Sequence, residues 1–333
     1  MKKRSDPSAV YDIIKFITVL LVVIAHSTRM YTASGAFHPA NASAILAKLT
    51  NYIYIFHMPL FMFVSGAVYG LCIQKGKYAK PLPFVGNKAK RLLIPYLAFG
   101  LLYVTPVMCY TGLAKHYSTY IYYGILLSLN SRHLWFLLAL FIIFIFAILA
   151  RKWLLRSHYT RLGVMILSCI AFALADRAPD QLQLRAALQY QLYFMLGATF
   201  HFVYEQAAAV LVKCKYLLVV LPVALLGSFY CNPNRLTSLA YQLAGILMLV
   251  MLAVLLEQGT ALRETKFFQY TKDTSMGIFL FHPMIIYLAY YFLGSKNIPP
   301  AVLSAGVAIV SFYASILLTK LLRRLRLGLL LGE

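Results

Sequence analysis

Apolar runs of membrane-crossing length recur along nearly the whole chain and leave room for little else. A helix needs about 20 consecutive apolar residues to cross the hydrocarbon core of a bilayer. Such runs fall at about 11–29, 52–73, 92–111, 133–150, 162–177, 186–204, 216–231, 238–256, 274–293 and 301–320, the fifth being short. The stretch YSTYIYYGILLSL at 117–129 is too short to span before Arg132, and its tyrosines suit an interfacial or re-entrant segment. Hydrophobic residues make up 62% of the chain and charged ones 12%, with a mean hydropathy of +0.75. Soluble domains carry about 25% charged residues. The expected fold class is therefore all-α, a polytopic membrane bundle of about ten transmembrane helices. Spans and short loops use up the 333 residues, so 1–333 reads as a single integral-membrane domain. There is no internal repeat, heptad array or low-complexity tract. The first run lacks a small-x-small exit site and is expected to be retained as a helix rather than cleaved as a signal peptide.

The net charge of +22 does not point to nucleic acid, because the charges sit in short loops and form no stripe with stacking aromatics. Of the 31 Lys and Arg residues, 22 fall on the side of the N-terminus in a ten-span alternation, 8 fall on the other, and Lys15 lies inside the first span. The positive-inside rule then places both termini in the cytoplasm. The five cysteines, Cys72, Cys109, Cys169, Cys214 and Cys231, show no CxxC or Cys/His ligand spacing, and no metal is expected.

The first run, YDIIKFITVLLVVIAHS, carries two ionisable groups into the apolar phase. Such groups cost several kcal/mol there and mark function by default. Lys15 and His26 are eleven positions apart, three turns plus about 20°, which puts them on one helix face about 16 Å apart along the axis. Asp12, three residues before Lys15, is placed to pair with it. With the N-terminus inside, Lys15 lies near the cytoplasmic end and His26 in the outer half. A snorkelling lysine and a helix-end histidine are the plainer alternatives. The shared face favours a polar seam toward the bundle interior.

Three further stretches carry polar chemistry. FHMPLFMFVSG at 56–66 places His57 near the depth of His26, with Pro59, Ser65 and Gly66 deeper, so the two histidines are candidates to line one cavity. GNKAKRLLIPYL at 86–97 sets Lys88, Lys90 and Arg91 at a helix start, where bases oppose the macrodipole unless an anion binds. Topology charge with anionic lipid and a phosphate clamp both account for them. SMGIFLFHPMIIY at 275–287 places His282 and Pro283 mid-span, where a structural hydrogen bond is the competing explanation.

In this order, the four stretches resemble the integral-membrane acyltransferase family known as acyltransferase 3. The matching features are Lys15 and His26 after Asp12, the FHMPLFMFVSG block, the Lys88-x-x-Arg91 pair followed by Pro95, and Ser275 to Pro283, with Phe279 at the family's usual tyrosine position. HLWFLLAL at 133–140, with Trp135, looks like the family's Trp-Phe-Leu helix, and the matches run from residue 11 to about 290. The resemblance implies transfer of an acyl group, usually acetyl, from cytoplasmic acyl-CoA to a hydroxyl of an extracytoplasmic glycan or lipid-linked sugar. It implies His26 as the catalytic histidine with Lys15 as its basic partner, and Lys88 and Arg91, beside Lys90, as holders of the donor phosphates. His57, Ser65, Trp135 and His282 are the expected substrate-cavity residues. Lysine stands where many members have arginine at two of these positions, so the bidentate fork is missing there. A soluble C-terminal extension, frequent in the family, is not expected in this chain.

The residues fit that chemistry on their own account. Acyl-CoA carries several phosphate charges and docks from the cytoplasm, where the basic loop 74–91 lies. Esterification needs a base for the hydroxyl proton, and histidine suits this. A nearby cation would stabilise the developing oxyanion. Direct transfer with His26 as base and a transient acyl-histidine both remain open. The base role is preferred because no separate resolving group is visible. A transporter or flippase of a lipid-linked sugar is the main alternative, and the lack of repeats counts against it. A bacterial cytoplasmic membrane is the expected location. Acetyl-CoA is the expected donor, membrane lipids are expected neighbours, and the acceptor is left open.

Overall fold

The computed structural model of the chain describes residues 6–229, 234–259 and 261–333. Cys231, the end of the 216–231 run and the basic residues Lys2, Lys3 and Arg4 lie outside the described residues. No strand forms among the described residues. Eleven helices carry the architecture: α1 (Pro7–Thr28), α2 (Ala44–Gln74), α3 (Pro81–Tyr110), α4 (Trp135–Arg156), α5 (His158–Leu174), α6 (Leu184–Phe202), α7 (Tyr204–Lys213), α8 (Leu217–Leu226), α9 (Arg235–Gly259), α10 (Lys266–Leu293) and α11 (Pro300–Arg324).

Each of the ten apolar runs falls on one of these helices. Among the described residues, eight of the helices are long and apolar enough to cross a membrane. A ninth crossing is possible through α6, whose chain bends by 93° into α7. The 216–231 run yields a shorter apolar helix, Leu217–Phe229, which contains Pro222. A sliding reading of hydropathy cannot tell this short helix from a full span. Together these helices make a multi-pass membrane protein. Outward-facing Leu162, Ile166, Ile170, Val302, Ile309 and Leu317 are exposed, as lipid contact requires.

Helix α1 lies at the centre, packed against α2, α9, α10 and α11, with Val10, Ile13, Ile14, Thr18 and Ala25 fully buried. The start of α1 is set by Asp6, which accepts from the Ser8 amide at 3.0 Å, and by Pro7 in the first turn. The most extensive helix contact is α2 with α6. A side chain on Gly66 would collide with the Phe194 carbonyl, and one on Gly197 with the Phe63 carbonyl. Gly66 and Gly70, four apart on α2, let the two backbones approach as small residues do in membranes.

The start of α1, the start of α10 and the chain's last residues meet at one end of the bundle, called here the near end. Asp12 pairs with Lys272 at 3.3 Å, and Arg323 pairs with Asp273 and Glu333, each at 2.5 Å. Tyr11 donates to His201 Nδ1 at 3.0 Å, and His201 Nε2 donates to Gln74 at 2.7 Å, tying α1, α6 and α2 together there. At the far end, Asn41 donates to Asn297 at 2.9 Å and Arg235 pairs with Asp176 at 2.5 Å. The segment 117–129 forms a short helical turn and a π-helical run, Tyr120–Leu126, and is not a span. It is held by Tyr96, which donates to the Ile125 carbonyl at 2.6 Å, and by Gln183, which donates to the Ser128 carbonyl.

Candidate active site

Two cavities of about 440 Å³ each open into the bundle, one toward each end. The far cavity is walled by α1, α2, α4, α6 and α10 and by the chain between Leu129 and His133. His26, Arg29, Tyr54, His57, Arg132 and His133 line it, with Trp135 and Tyr190 opposite. The near cavity holds Asp12, Lys15, Lys88, Arg91, Lys272, Asp273, Glu333 and Ser65. Phe61 and Phe279 belong to the walls of both, so the cavities stand back to back.

The far cavity gathers its polar groups from distant parts of the chain. The His26 ring lies 6.0 Å from Tyr54, and Tyr54 lies 4.6 Å from His57. His57 follows Tyr54 by one helical turn, which is why one ring touches both histidines. His57 Nδ1 donates to the Ile53 carbonyl at 3.1 Å. His282 Nδ1 donates to the Ile278 carbonyl at 2.6 Å, and His133 Nε2 to the Leu280 carbonyl at 3.1 Å. A neutral imidazole that donates through one nitrogen presents the other as an acceptor. The structure leaves His282 Nε2 and His133 Nδ1 buried and without a partner. His26 makes no hydrogen bond to any described residue, and its ring meets His282 edge-on at 5.1 Å.

Arg29 lies one turn beyond His26, bonded to the Tyr54 hydroxyl at 3.4 Å with its guanidinium 5.4 Å from that ring. Arg132 has a positive φ of 54° and sits 5.8 Å from the Tyr287 ring, with a buried, unpartnered Nε. Residues of this shape rarely hold that backbone conformation, and where they do the surrounding structure enforces it. No carboxylate among the described residues lines this cavity. Trp135 and Tyr190, with ring centroids 5.1 Å apart, supply flat apolar faces, and Asn130 and Gln183 supply amides.

The near cavity sets four cations, Lys15, Lys88, Arg91 and Lys272, against three carboxylates, Asp12, Asp273 and Glu333. Lys15, Lys88 and Arg91 line it, and none of them forms a salt bridge among the described residues. Lys88 stands over the rings of Phe144, Tyr78 and Phe84 at 3.9, 5.4 and 5.6 Å. Burial pushes the Tyr78 phenol up to about 12, so Lys88 meets it as a neutral ring. Such a cage holds the ammonium in place without neutralising it. Arg91 Nε donates to the Gly332 carbonyl at 3.0 Å.

Several placements differ from the sequence expectations. Asp12 binds Lys272 rather than Lys15, because α10 brings a second lysine to the same helix end. Lys15 and His26 share α1 but open into different cavities. Ser65 lines the near cavity, not the histidine cavity, and donates to the Phe61 carbonyl at 2.8 Å. Lys90 is exposed and lines neither cavity, since it is two positions off the face carried by Lys88. His282 stands behind His26 and does not line the far cavity. His57 and Trp135 line the far cavity with His26. Arg29, Tyr54, Arg132 and His133 were not singled out from the sequence. His133 begins the HLWFLLAL run and Arg29 follows His26 by one turn, which were the available signals. Among the described residues, no group of three or more His, Cys, Asp or Glu is placed to hold a metal ion.

The acyltransferase-domain model of the acyltransferase 3 family matches residues 9–320. The chain belongs to this family. It is similar to nodulation protein NolL of Mesorhizobium japonicum, 30% identical over 219 residues, which is 63% of this chain and 52% of that protein. It is also similar to NolL of Sinorhizobium fredii, 29% identical over 218 residues, or 63% of this chain and 53% of that one. The chain thus spans about half the length of the curated relatives it matches. No solved structure matches it.

Proposed function

We propose that the protein is an O-acyltransferase of the cell membrane. It moves an acyl group, most simply acetyl, from cytoplasmic acyl-CoA to a hydroxyl of an extracytoplasmic glycan or lipid-linked sugar. The observation that carries this reading is the pair of back-to-back cavities, one with Lys15, Lys88 and Arg91 and the other with His26 and aromatic faces. Membership of the acyltransferase 3 family supports it.

In this reading Lys15, Lys88 and Arg91 attract the phosphates of the donor, which arrives at the near end. The pantetheine arm points its thioester toward Phe61 and Phe279. Trp135 and Tyr190 stack on the acceptor sugar, and Asn130 and Gln183 bond its hydroxyls. A nitrogen of His26 takes the proton of the attacking hydroxyl. The acceptor oxygen bonds to the acyl carbon, and Arg29 faces the negative charge that builds on the carbonyl oxygen. His26 then returns the proton to the sulfur as the carbon–sulfur bond breaks. His282, behind His26, offers an unpaired acceptor nitrogen that can fix the His26 ring when that ring carries a proton.

The test is transfer of radiolabelled acetyl from acetyl-CoA to lipid-linked and polymeric glycans by the purified protein in proteoliposomes. Labelled glycan that disappears with His26→Ala is the expected result. Movement of a lipid-linked sugar across the bilayer with no loss of acetyl-CoA would sink the reading.

A further inference from the structure

The wall between the two cavities is made of aromatic rings. Phe61 of α2 and Phe279 of α10 line both cavities. Phe136 of α4 lies between them, 5.7 Å from the Phe61 ring and 5.5 Å from the Phe279 ring, and lines the near side. On α1, Val19 faces the near cavity and Val22 the far one, so the partition continues as aliphatic surface on the fourth side. Ser65, one turn from Phe61, spends its hydroxyl on its own helix. The partition itself is apolar, with Ser275, one turn before Phe279, a hydroxyl on the near side of it, and an apolar constriction of this kind stays dry. His26 is on one side of it, and Lys15, Lys88 and Arg91 are on the other.

We propose that Phe61, Phe136 and Phe279 decide between acyl transfer and hydrolysis, by keeping the thioester apart from the water of the far cavity until the acceptor is seated. The inference rests on the acyltransferase reading. His26 can take a proton from water as readily as from a sugar hydroxyl. With water, the oxygen bonds to the acyl carbon, the carbon–sulfur bond breaks, and His26 passes the proton to the sulfur. The products are a free carboxylic acid and free CoA thiol, and the donor is wasted. Water fills an aqueous cavity at tens of molar, far above any acceptor, so chemical preference for the sugar is not enough. Exclusion of water until closure is the general solution for reactive groups. Ring rotation at Phe61 and Phe279 is the movement that opens the way, and both rings line the two cavities that donor and acceptor would occupy.

The experiment measures CoA thiol release from acetyl-CoA with no acceptor present, using detergent-purified wild type, Phe279→Ala, Phe61→Ala and the double variant. Binding of labelled acetyl-CoA, measured on the same samples, shows that each variant is folded and loaded. Thiol release at least tenfold above wild type in the alanine variants, returning to the wild-type level when His26→Ala is added, is the expected result. Release that stays at the wild-type level in variants that bind acetyl-CoA normally would overturn the partition. So would faster release that survives His26→Ala, since hydrolysis would then bypass the far cavity. Glycan transfer by the wild type, run in parallel, separates the two levels. If the wild type transfers and only the variants fail to leak, the partition alone is lost. If the wild type neither binds nor turns over acetyl-CoA, the enzyme reading and the partition fall together.

Discussion

At the scale of single residues, the near cavity mixes cations with carboxylates, whereas the far one has Arg29 and Arg132 and no carboxylate among the described residues. Lys15, Lys88 and Arg91 line the near cavity with no direct salt bridge among the described residues, and three aromatic rings hold the Lys88 ammonium. Lys88→Ala and Arg91→Ala are expected to raise the KM for acetyl-CoA at least tenfold and to weaken its dependence on salt. Lys90→Ala, on an exposed position, should leave KM within twofold. Steady-state kinetics at two ionic strengths read this directly. In the far cavity the base is decisive. General-base catalysis contributes about 10²–10⁴-fold, so His26→Ala should lower kcat by that range with little effect on donor KM. His282→Ala should cost less, near tenfold, because it removes a support for the ring and not the base itself.

At the scale of elements, two features hold the cavities open. One is the close crossing of α2 and α6 at Gly66 and Gly197. Overpacking a tight contact costs about 1–3 kcal/mol or more, so Gly66→Val should lower the thermal midpoint in detergent by several degrees. It should also impair both cavities, since α2 contributes His57 to one and Ser65 to the other. The second is the segment 117–134, tethered by Gln183 to Ser128 and by the Leu182 amide to the Leu127 carbonyl at 2.9 Å. Four non-glycine residues with positive φ cluster here, Ser128, Arg132, Leu182 and Gln183. Strain on this scale persists only where neighbouring contacts impose it. Gln183→Ala should release the segment, seen as faster hydrogen exchange at 127–133 with the rest of the bundle unchanged.

At the scale of the whole molecule, the start of α1 and residue Glu333 share the near end, which also carries the near cavity with Lys15, Lys88 and Arg91. The lysine and arginine excess on that side predicts a cytoplasmic location for it. Fluorescent-protein fusions after residue 333 should fluoresce, while alkaline phosphatase fusions there should be inactive. Reporters in the loop 29–43 should behave in the opposite way. The bundle is arranged around α1, which faces one cavity with Lys15 and the other with His26.

Hydropathy is a sum over neighbours along the chain, so the helical class and the apolar helices, eight of them of membrane-crossing length among the described residues, were legible in the sequence. So was the shared depth of His26 and His57, because depth follows from 1.5 Å of rise per residue. Azimuth relative to other helices does not follow from any local sum. It comes from contacts such as Gly66 against Phe194, between residues far apart in the chain. For that reason His133 and Arg132 joined the histidine cavity unannounced, Asp12 found Lys272, and Ser65 turned to the near side. Sequence alone established a membrane bundle with ionisable groups in its first helix. Tertiary packing decided that those groups open on two cavities with an aromatic wall between them, since only the docking of α2, α4 and α10 brings Phe61, Phe136 and Phe279 together.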